Sequence, residues 1–398
     1  MNEQPKINNS LFQKNSNIAL VAALIFNQKE IPRAAIAKKL NLYRSTVTNI
    51  TTYLLENNVI VEGKAGKSCE KGGRRPVALS LNPNFGAVLG IDIKLTHYRA
   101  VLMDITGKSL WEESRLAPEC SFSDLLDSIL AECFASVKKI GIPLLGVCFG
   151  LPGMIDREKG VIRYSEPLHI KDEYNVYEYF HSRYPLPVLI ENDANCCSWY
   201  EMIKESSKEA DSSVVLYGDY IESDIKTNRR RGIGIGLGLS ADGIVFRGSH
   251  SSAGEFCSAS WNDQDEGQTG ISDKSVRNIL EDDNVWRLWI KDIFTSLIPV
   301  VSIFDPRSFI ITGEPFRGRE EEMNSLISAL APGFIKVLNK YGCTLKFDTE
   351  DEKIVARGAA RMYLRSLFSV PDINDIGSSL HFEWDKVIKT ASEGNYYL

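Results

Sequence analysis

The sequence predicts a mixed α/β chain, with a small N-terminal winged helix-turn-helix ahead of a two-lobed α/β body. Three observations point there. Charge is divided unevenly: residues 1–82 hold 12 Lys and Arg against 5 Asp and Glu, and the remainder holds 34 against 47. A basic head on an acidic body suggests a head that binds nucleic acid. Apolar residues in the head recur at helical spacing and lead into a hairpin-like stretch. From about Pro83 onward, strands mix with helices, as in a three-layer α/β body.

The head's elements follow in order. "NSNIALVAALIFNQ" places Ile18, Val21, Ala22 and Ile25 on one helical face. "IPRAAIAKKL" starts a second helix, with Pro32 expected in its first turn and Ile36 and Leu40 four apart. "NLY" is a three-residue connection to "RSTVTNITTYLLENN", whose buried stripe is Val47, Ile50, Leu54 and Leu55, and Asn58 suits a left-handed end. Away from that stripe lie Arg44, Ser45, Thr46, Thr48, Asn49 and Thr52. These short or bidentate hydrogen-bonding groups suit base edges and phosphates in a major groove. "VIVEG" and "PVALSLN" then flank a basic tip, a β-hairpin wing on which Lys64, Lys67, Lys71, Arg74 and Arg75 reach phosphates or a minor groove.

The body opens with strand-like "GAVLGIDIKLTHYRAVLMDITGK". "PLLGVCFGLPGMID" reads as a buried strand ending in a Gly-Pro-Gly-type bend at Gly153. "LPVLIENDANCCSWYEM" is a strand that ends in a polar cluster and feeds a helix. "GIGIGLG" at 232–238 sets glycine at every second position, a pattern suited to close backbone approach by a phosphate or a sugar. With 316 residues beyond the head, the body is long enough for two lobes around a cleft.

Composition narrows the classes. An apolar fraction of 43% and a charged fraction of 25% are ordinary for a globular protein. No apolar run reaches the ~18 residues of a membrane span, and the polar start has no signal-peptide core, so a cytoplasmic location is expected. Eight scattered cysteines without a CxxC pair fit reduced, mostly buried thiols.

Taken together and in this order, the motifs resemble those of the ROK family (repressors, open reading frames and sugar kinases), in its transcription-regulator branch. They are the head ending in "GGRRPVALSLN", then "LGIDIKLTHYRAVLMD", "GVCFGLPGMID", "IENDAN", "GIGIGLGLSADGIVFRGSHSSAGE", "DPRSFIITGE" and "ARGAA". The resemblance implies an actin-like ATPase/sugar-kinase fold closing around a sugar. It also implies a repressor that binds a duplex DNA operator as a homodimer or homotetramer, with a sugar or a protein partner changing its affinity. It carries ligand roles onto Gly153, Asn192, Asp193 and Glu255, with Asp193 at the position of the kinase base.

The sequence departs from the kinases in three places. Lys94 and Leu95 stand where the first phosphate turn has two glycines, and their side chains obstruct a phosphate's approach. Ile233 replaces the threonine of the second phosphate turn. Ser258 stands where the zinc-binding His is expected, and Cys257 is alone between Cys197 and Cys343, so no metal and no other cofactor is expected. That segment is then either held by packing, with Trp261 as the candidate anchor, or mobile. "NDAN" also has a plainer reading, an Asx cap on the helix that follows. The stretch 219–231, with Arg229, Arg230 and Arg231, is longer than the family pattern and reads as a solvated hairpin, with a lid or anion contact as the alternative. The expected division is residues 1–82 for the head, 83–195 for a first lobe completed by about 375–398, and 196–374 for a second lobe. The function expected is a DNA-binding repressor that senses a sugar or sugar derivative without phosphorylating it. The alternative is an ATP-dependent sugar kinase with an appended DNA-binding head.

Overall fold

A computed structural model describes residues 9–65, 77–204, 212–224, 229–262, 267–370 and 382–394. The head contains α1 (Asn9–Gln28), β1 (Ile31–Pro32), α2 (Arg33–Leu40), α3 (Arg44–Glu56), β2 (Ile60–Ala65) and β3 (Val77–Leu81). Ile18, Val21, Ala22, Ile25, Ile36, Val47 and Leu54 are all buried, so the helical stripes meet in one small core. Asn41 ends α2 and Asn58 follows α3, both in the left-handed region, at φ 51° and 57°. Short polar side chains tolerate that conformation better than others. Pro32 differs from expectation. It pairs with Ala78 in β1 and precedes α2 in extended conformation, rather than sitting in the helix's first turn. The wing's strands are β2 and β3, antiparallel with Ile60 opposite Leu81. Its tip, with Lys67, Arg74 and Arg75, lies outside the described residues.

The body begins with β4 (Ala87–Ile93), β5 (His97–Asp104), β6 (Ser109–Leu116), α4 (Phe122–Ile140) and β7 (Leu144–Leu151). A small hairpin sheet follows, β8 (Met154–Asp156), β9 (Val161–Tyr164) and β10 (Tyr174–Asn175), then α5 (Val176–His181) and β11 (Val188–Asn192). The main sheet runs β11-β7-β4-β5-β6. Every residue of β4 and β7 is buried, because both faces of these central strands are covered.

The second half contains α6 (Asp193–Lys204), β12 (Ser212–Asp224), β13 (Arg229–Ala241), β14 (Ile244–Val245), α7 (Asp273–Val276), α8 (Asp283–Ser296), α9 (Ile298–Phe304), β15 (Ser308–Gly313), α10 (Glu320–Leu330), α11 (Pro332–Tyr341) and β16 (Thr344–Phe347). The chain closes with α12 (Ile354–Leu367) and α13 (Trp384–Glu393). The second sheet runs β14-β13-β12-β15-β16. In each sheet the first strand of the lobe pairs antiparallel with its successor and parallel with a later strand. The two lobes therefore repeat one topology, the duplicated α/β architecture that the resemblance implied. The 219–231 stretch lengthens the β12–β13 hairpin, in which Glu222 pairs with Arg230 and Asp224 with Arg229 along the backbone.

α12 packs on β4, β5 and β7, while α6 packs on β12 and β13, and the two helices cross between the sheets. The first sheet is thus covered by residues 354–367, ahead of the 375–398 stretch. Of that stretch, α13 packs on β7 and α1. The head does not hang from a linker. Phe26 of α1 stacks on Phe368 at 4.7 Å, and Phe368 meets the fully buried Trp384. Lys14 pairs with Asp385 at 3.1 Å, and Tyr53 of α3 donates a hydrogen bond to the same carboxylate. One hydrophobic core runs from Ile18 to Val387.

Candidate ligand cleft and nucleic-acid face

The cleft between the lobes holds a cavity of about 770 Å³. All four residues assigned a ligand role line it: Gly153, Asn192, Asp193 and Glu255. Gly153 turns the chain at φ 102°, where a side chain would also collide with Tyr164 and Ser165. Asn192 ends β11. Its amide donates to the Gly153 carbonyl at 3.1 Å, and its Oδ1 accepts from the Asn195 N–H at 3.1 Å. The Asx cap is therefore formed through Oδ1, and Asn192 still lines the cavity.

Asp193 opens α6, and its Oδ1 accepts from the Ala194 N–H at 2.9 Å. Its Oδ2 meets Lys94 Nζ at 2.9 Å, and the same ammonium lies 2.8 Å from Asp219 and 3.8 Å from Asp92. Arg99 completes the cluster, 3.4 Å from both Asp92 and Glu314. The Lys94 side chain thus reaches across the cleft to the base position. Burial opposes the ammonium, but the charges of Asp193 and Asp219 outweigh it and hold the Lys94 pKa well above its usual value. Burial raises Asp92 and Asp193, whereas for Asp219 the Lys94 charge prevails over burial and lowers the pKa. Glu255 is left out of this cage. Its residue is exposed, yet the packing around its carboxyl, and then the charge of Asp193, push its pKa up.

On the far side of the cage, Arg99, Tyr217, Gly313, Glu314 and Arg317 surround about 10 Å³. That is about the minimum that holds one water molecule. The glycine repeat serves the packing of helix α6 as well as the cavity, whose lining includes Gly234 and Gly236. Ile233, Ile235 and Leu237 are buried in the second lobe's core. A Cβ at Gly236 would lie 2.9 Å from the Ala194 Cβ, and one at Gly238 would overlap Ser198 and the Ala194 carbonyl. The close approach made here is that of helix α6.

The segment after Glu255 is held by Gln268 and Asp292 rather than by Trp261, which is 46% exposed. Gln268 exchanges two 2.7 Å hydrogen bonds with the backbone of Ile235 and donates to the Phe256 carbonyl. Asp292 accepts from Ser260 Oγ at 2.6 Å and from the Gly270 N–H at 3.1 Å. Ser258 is buried, and its N–H donates to the Gln268 carbonyl at 2.8 Å. Among the described residues, no group of three or more His, Cys, Asp and Glu is placed to hold a metal ion.

Sequence reasoning also missed a second buried ion pair. Glu191 of β11 is 1% exposed and takes Arg247 from beyond β14, with Nε to Oε2 at 3.0 Å. Asn195 and Trp199 donate to the same carboxylate. Arg247 thereby fastens the loop that leads to Glu255 onto the first lobe. Glu191 stood inside the quoted motif, but no sequence spacing links it to Arg247.

On the head, Arg44, Ser45, Thr48, Asn49 and Thr52 are exposed and Thr46 is half-buried. The Thr48 hydroxyl donates to the Arg44 carbonyl at 2.8 Å, which directs it along the helix. Tyr43, immediately before α3, is 85% exposed and extends this face. Lys67, Arg74 and Arg75 cannot be placed relative to it, since they lie outside the described residues.

Residues 88–271 match the model of the ROK family. Over 262 residues the chain is 30% identical to the xylose repressor of Caldicellulosiruptor bescii, covering 65% of this chain and 62% of that protein. Over 256 residues it is 24% identical to the DNA-binding transcriptional dual regulator NagC of Escherichia coli, covering 64% and 59%. The alignments thus span less than two thirds of these relatives' own lengths. A solved ROK family transcriptional regulator, a homolog of the E. coli MLC protein, shares the fold. Its TM-score is 0.69 at 19% identity, covering 95% of this chain and 100% of that one.

Proposed function

Residues 88–271 being a ROK family domain, behind a winged helix-turn-helix, we propose that the protein is a DNA-binding transcriptional repressor whose cleft senses a sugar or sugar derivative. The names of the relatives support a repressor. The observation that carries the rest is the Lys94 cage. A sugar kinase needs a carboxylate free to take a hydroxyl proton and a cradle for the transferred phosphate. Here Asp193, at the position of the kinase base, is already paired with Lys94, and the side chains of Leu95 and Ile233 line the cavity where a phosphate cradle needs bare backbone. The arrangement binds without turning over. Coupled ATP turnover with a sugar panel tests this, and phosphorylated sugar would restore the kinase reading.

Two further results are expected. The α3 face is the reading surface, with paired heads of a homodimer or homotetramer addressing two half-sites. Arg44→Ala should weaken operator binding by about 1–3 kcal/mol if Arg44 reads a base edge, and equal losses on operator and random duplex would reduce Arg44 to a phosphate contact. In the cleft, Glu255 has the carboxylate that the cage leaves available, so it carries more of the ligand contact than Asn192 or Asp193. Removing one charge-assisted hydrogen bond costs about 1.5–3 kcal/mol, so Glu255→Ala should weaken the ligand about ten- to hundredfold by calorimetry while leaving operator affinity of the ligand-free protein intact.

A further inference from the structure

We infer that the cleft admits uncharged or amine-bearing sugars and excludes sugars that carry a phosphate or carboxylate, because Lys94, Arg99 and the helix N-termini at its described wall already have partners within the chain. This rests on the sugar-sensing reading and adds the chemical class of the ligand.

Four groups at or beside the wall are suited to an anion, and each is occupied. Lys94 is held by Asp193, Asp219 and Asp92 at 2.9, 2.8 and 3.8 Å. Arg99 is held between Asp92 and Glu314. The N-terminus of α6 points its N–H groups at the cleft, as phosphate-binding helices do. Those of Ala194 and Asn195 are taken by the side chains of Asp193 and Asn192. The N-terminus of α4 also faces the cavity through Ser121 and Phe122. There the Asp124 N–H goes to Ser121 Oγ, and the Asp124 carboxylate occupies the positive end of the helix.

The charge of the described lining acts in the same direction. Glu119, Glu166, Asp193, Asp219 and Glu255 face the cavity, against Lys94 alone. Protonating both lining histidines, His97 and His169, would still leave carboxylates outnumbering cations. An incoming phosphate must displace a carboxylate from Lys94, which strands that carboxylate, buried and unpaired. It must also pass Glu119 and Glu166, both exposed at the rim. Hydroxyl and ammonium donors meet no such obstacle, because carboxylates accept from them.

The test is calorimetry on the full chain with seven named sugars and one control. Xylose, glucose, N-acetylglucosamine and glucosamine are the admitted class. Glucose 6-phosphate, N-acetylglucosamine 6-phosphate and glucuronic acid are the excluded class. Glucuronamide, neutral and nearly the same shape as glucuronic acid, separates charge from size. Binding is expected within the first class, with each anion about tenfold or more weaker than its uncharged parent and glucuronamide recovering affinity over the acid. An anion that binds as tightly as its parent overturns the inference and leaves sugar sensing standing. Glucuronamide as weak as glucuronic acid also overturns it, because size would then be the cause. If none of the eight binds, the sugar-sensing reading falls and this inference falls with it.

Discussion

Lys94→Met is expected to lower the unfolding free energy by about 3–5 kcal/mol at neutral pH, the usual cost of removing one partner from a buried ion pair. Lys94 is 8% exposed and lies among three carboxylates, of which Asp92 and Asp193 are also buried. Without the ammonium, Arg99 is the remaining cation of the cage, and it is shared with Glu314. The pH dependence follows from the shifts. Asp92 and Asp193 already titrate above their usual range, because burial disfavours their charged forms. A folded-state pKa above the unfolded value means that the folded protein holds its protons longer, so stability is present at low pH and is lost as pH rises through the folded pKa. The variant should therefore recover part of its deficit between neutral pH and a mildly acidic pH. The wild type should recover less, because Asp219, held below its usual pKa by Lys94, contributes in the opposite direction. Urea unfolding at both pH values reads this directly. A variant as stable as the wild type at neutral pH would show that the cage does not hold the lobes together.

Gly358→Ala is the second large effect, and its sign runs against helix propensity. Alanine in a helix interior is normally favoured over glycine by about 1 kcal/mol. Gly358 lies in α12 where that helix crosses α6, and a Cβ there would overlap the Cys196 carbonyl. Backbone is the obstacle, so no rotamer change relieves it, and the two helices between the sheets must separate. Overpacking typically costs 1–3 kcal/mol and occasionally more. This substitution belongs at or beyond the upper end, so a fall in soluble yield and a loss of about 3 kcal/mol or more are expected. Gly333→Ala in α11 is the control. Its Cβ would meet a single flexible atom, Ile298 Cδ1, at 3.1 Å, and a change within about 1 kcal/mol is expected. Equal effects at the two sites would remove the crossing from the account of stability.

The head was legible because its signals are local. Periodic apolar residues, a three-residue connection and Asn58 mark helices and their ends within a few positions. The cleft residues were legible only as motifs in order, and the motifs did not say how their side chains are spent. Asn192 was assigned to a ligand, and it both lines the cavity and caps α6. Lys94 was read as an obstruction and is the centre of a cage. Its partner Asp219 lay inside a stretch read as a solvated hairpin. The glycine repeat signalled close approach correctly, but a missing Cβ does not specify what comes close. Gln268, Asp292 and the Glu191–Arg247 pair depend on contacts between distant segments, for which spacing gives no sign.

Under the proposed function, the union of head and first lobe bears on how a cleft event would reach DNA. Pivoting α3 against the body would part Phe26 from Phe368, expose Trp384 and break both contacts to Asp385. Each large apolar side chain returned to water costs about 1.5–3 kcal/mol, so the head is poorly suited to act as a loose reporter. It is better described as the short arm of a lever whose body is the first lobe and whose fulcrum is the α6–α12 crossing. Rotation of one lobe against the other would then reach α3 undiminished, as a change in the angle at which a rigid reading surface is presented.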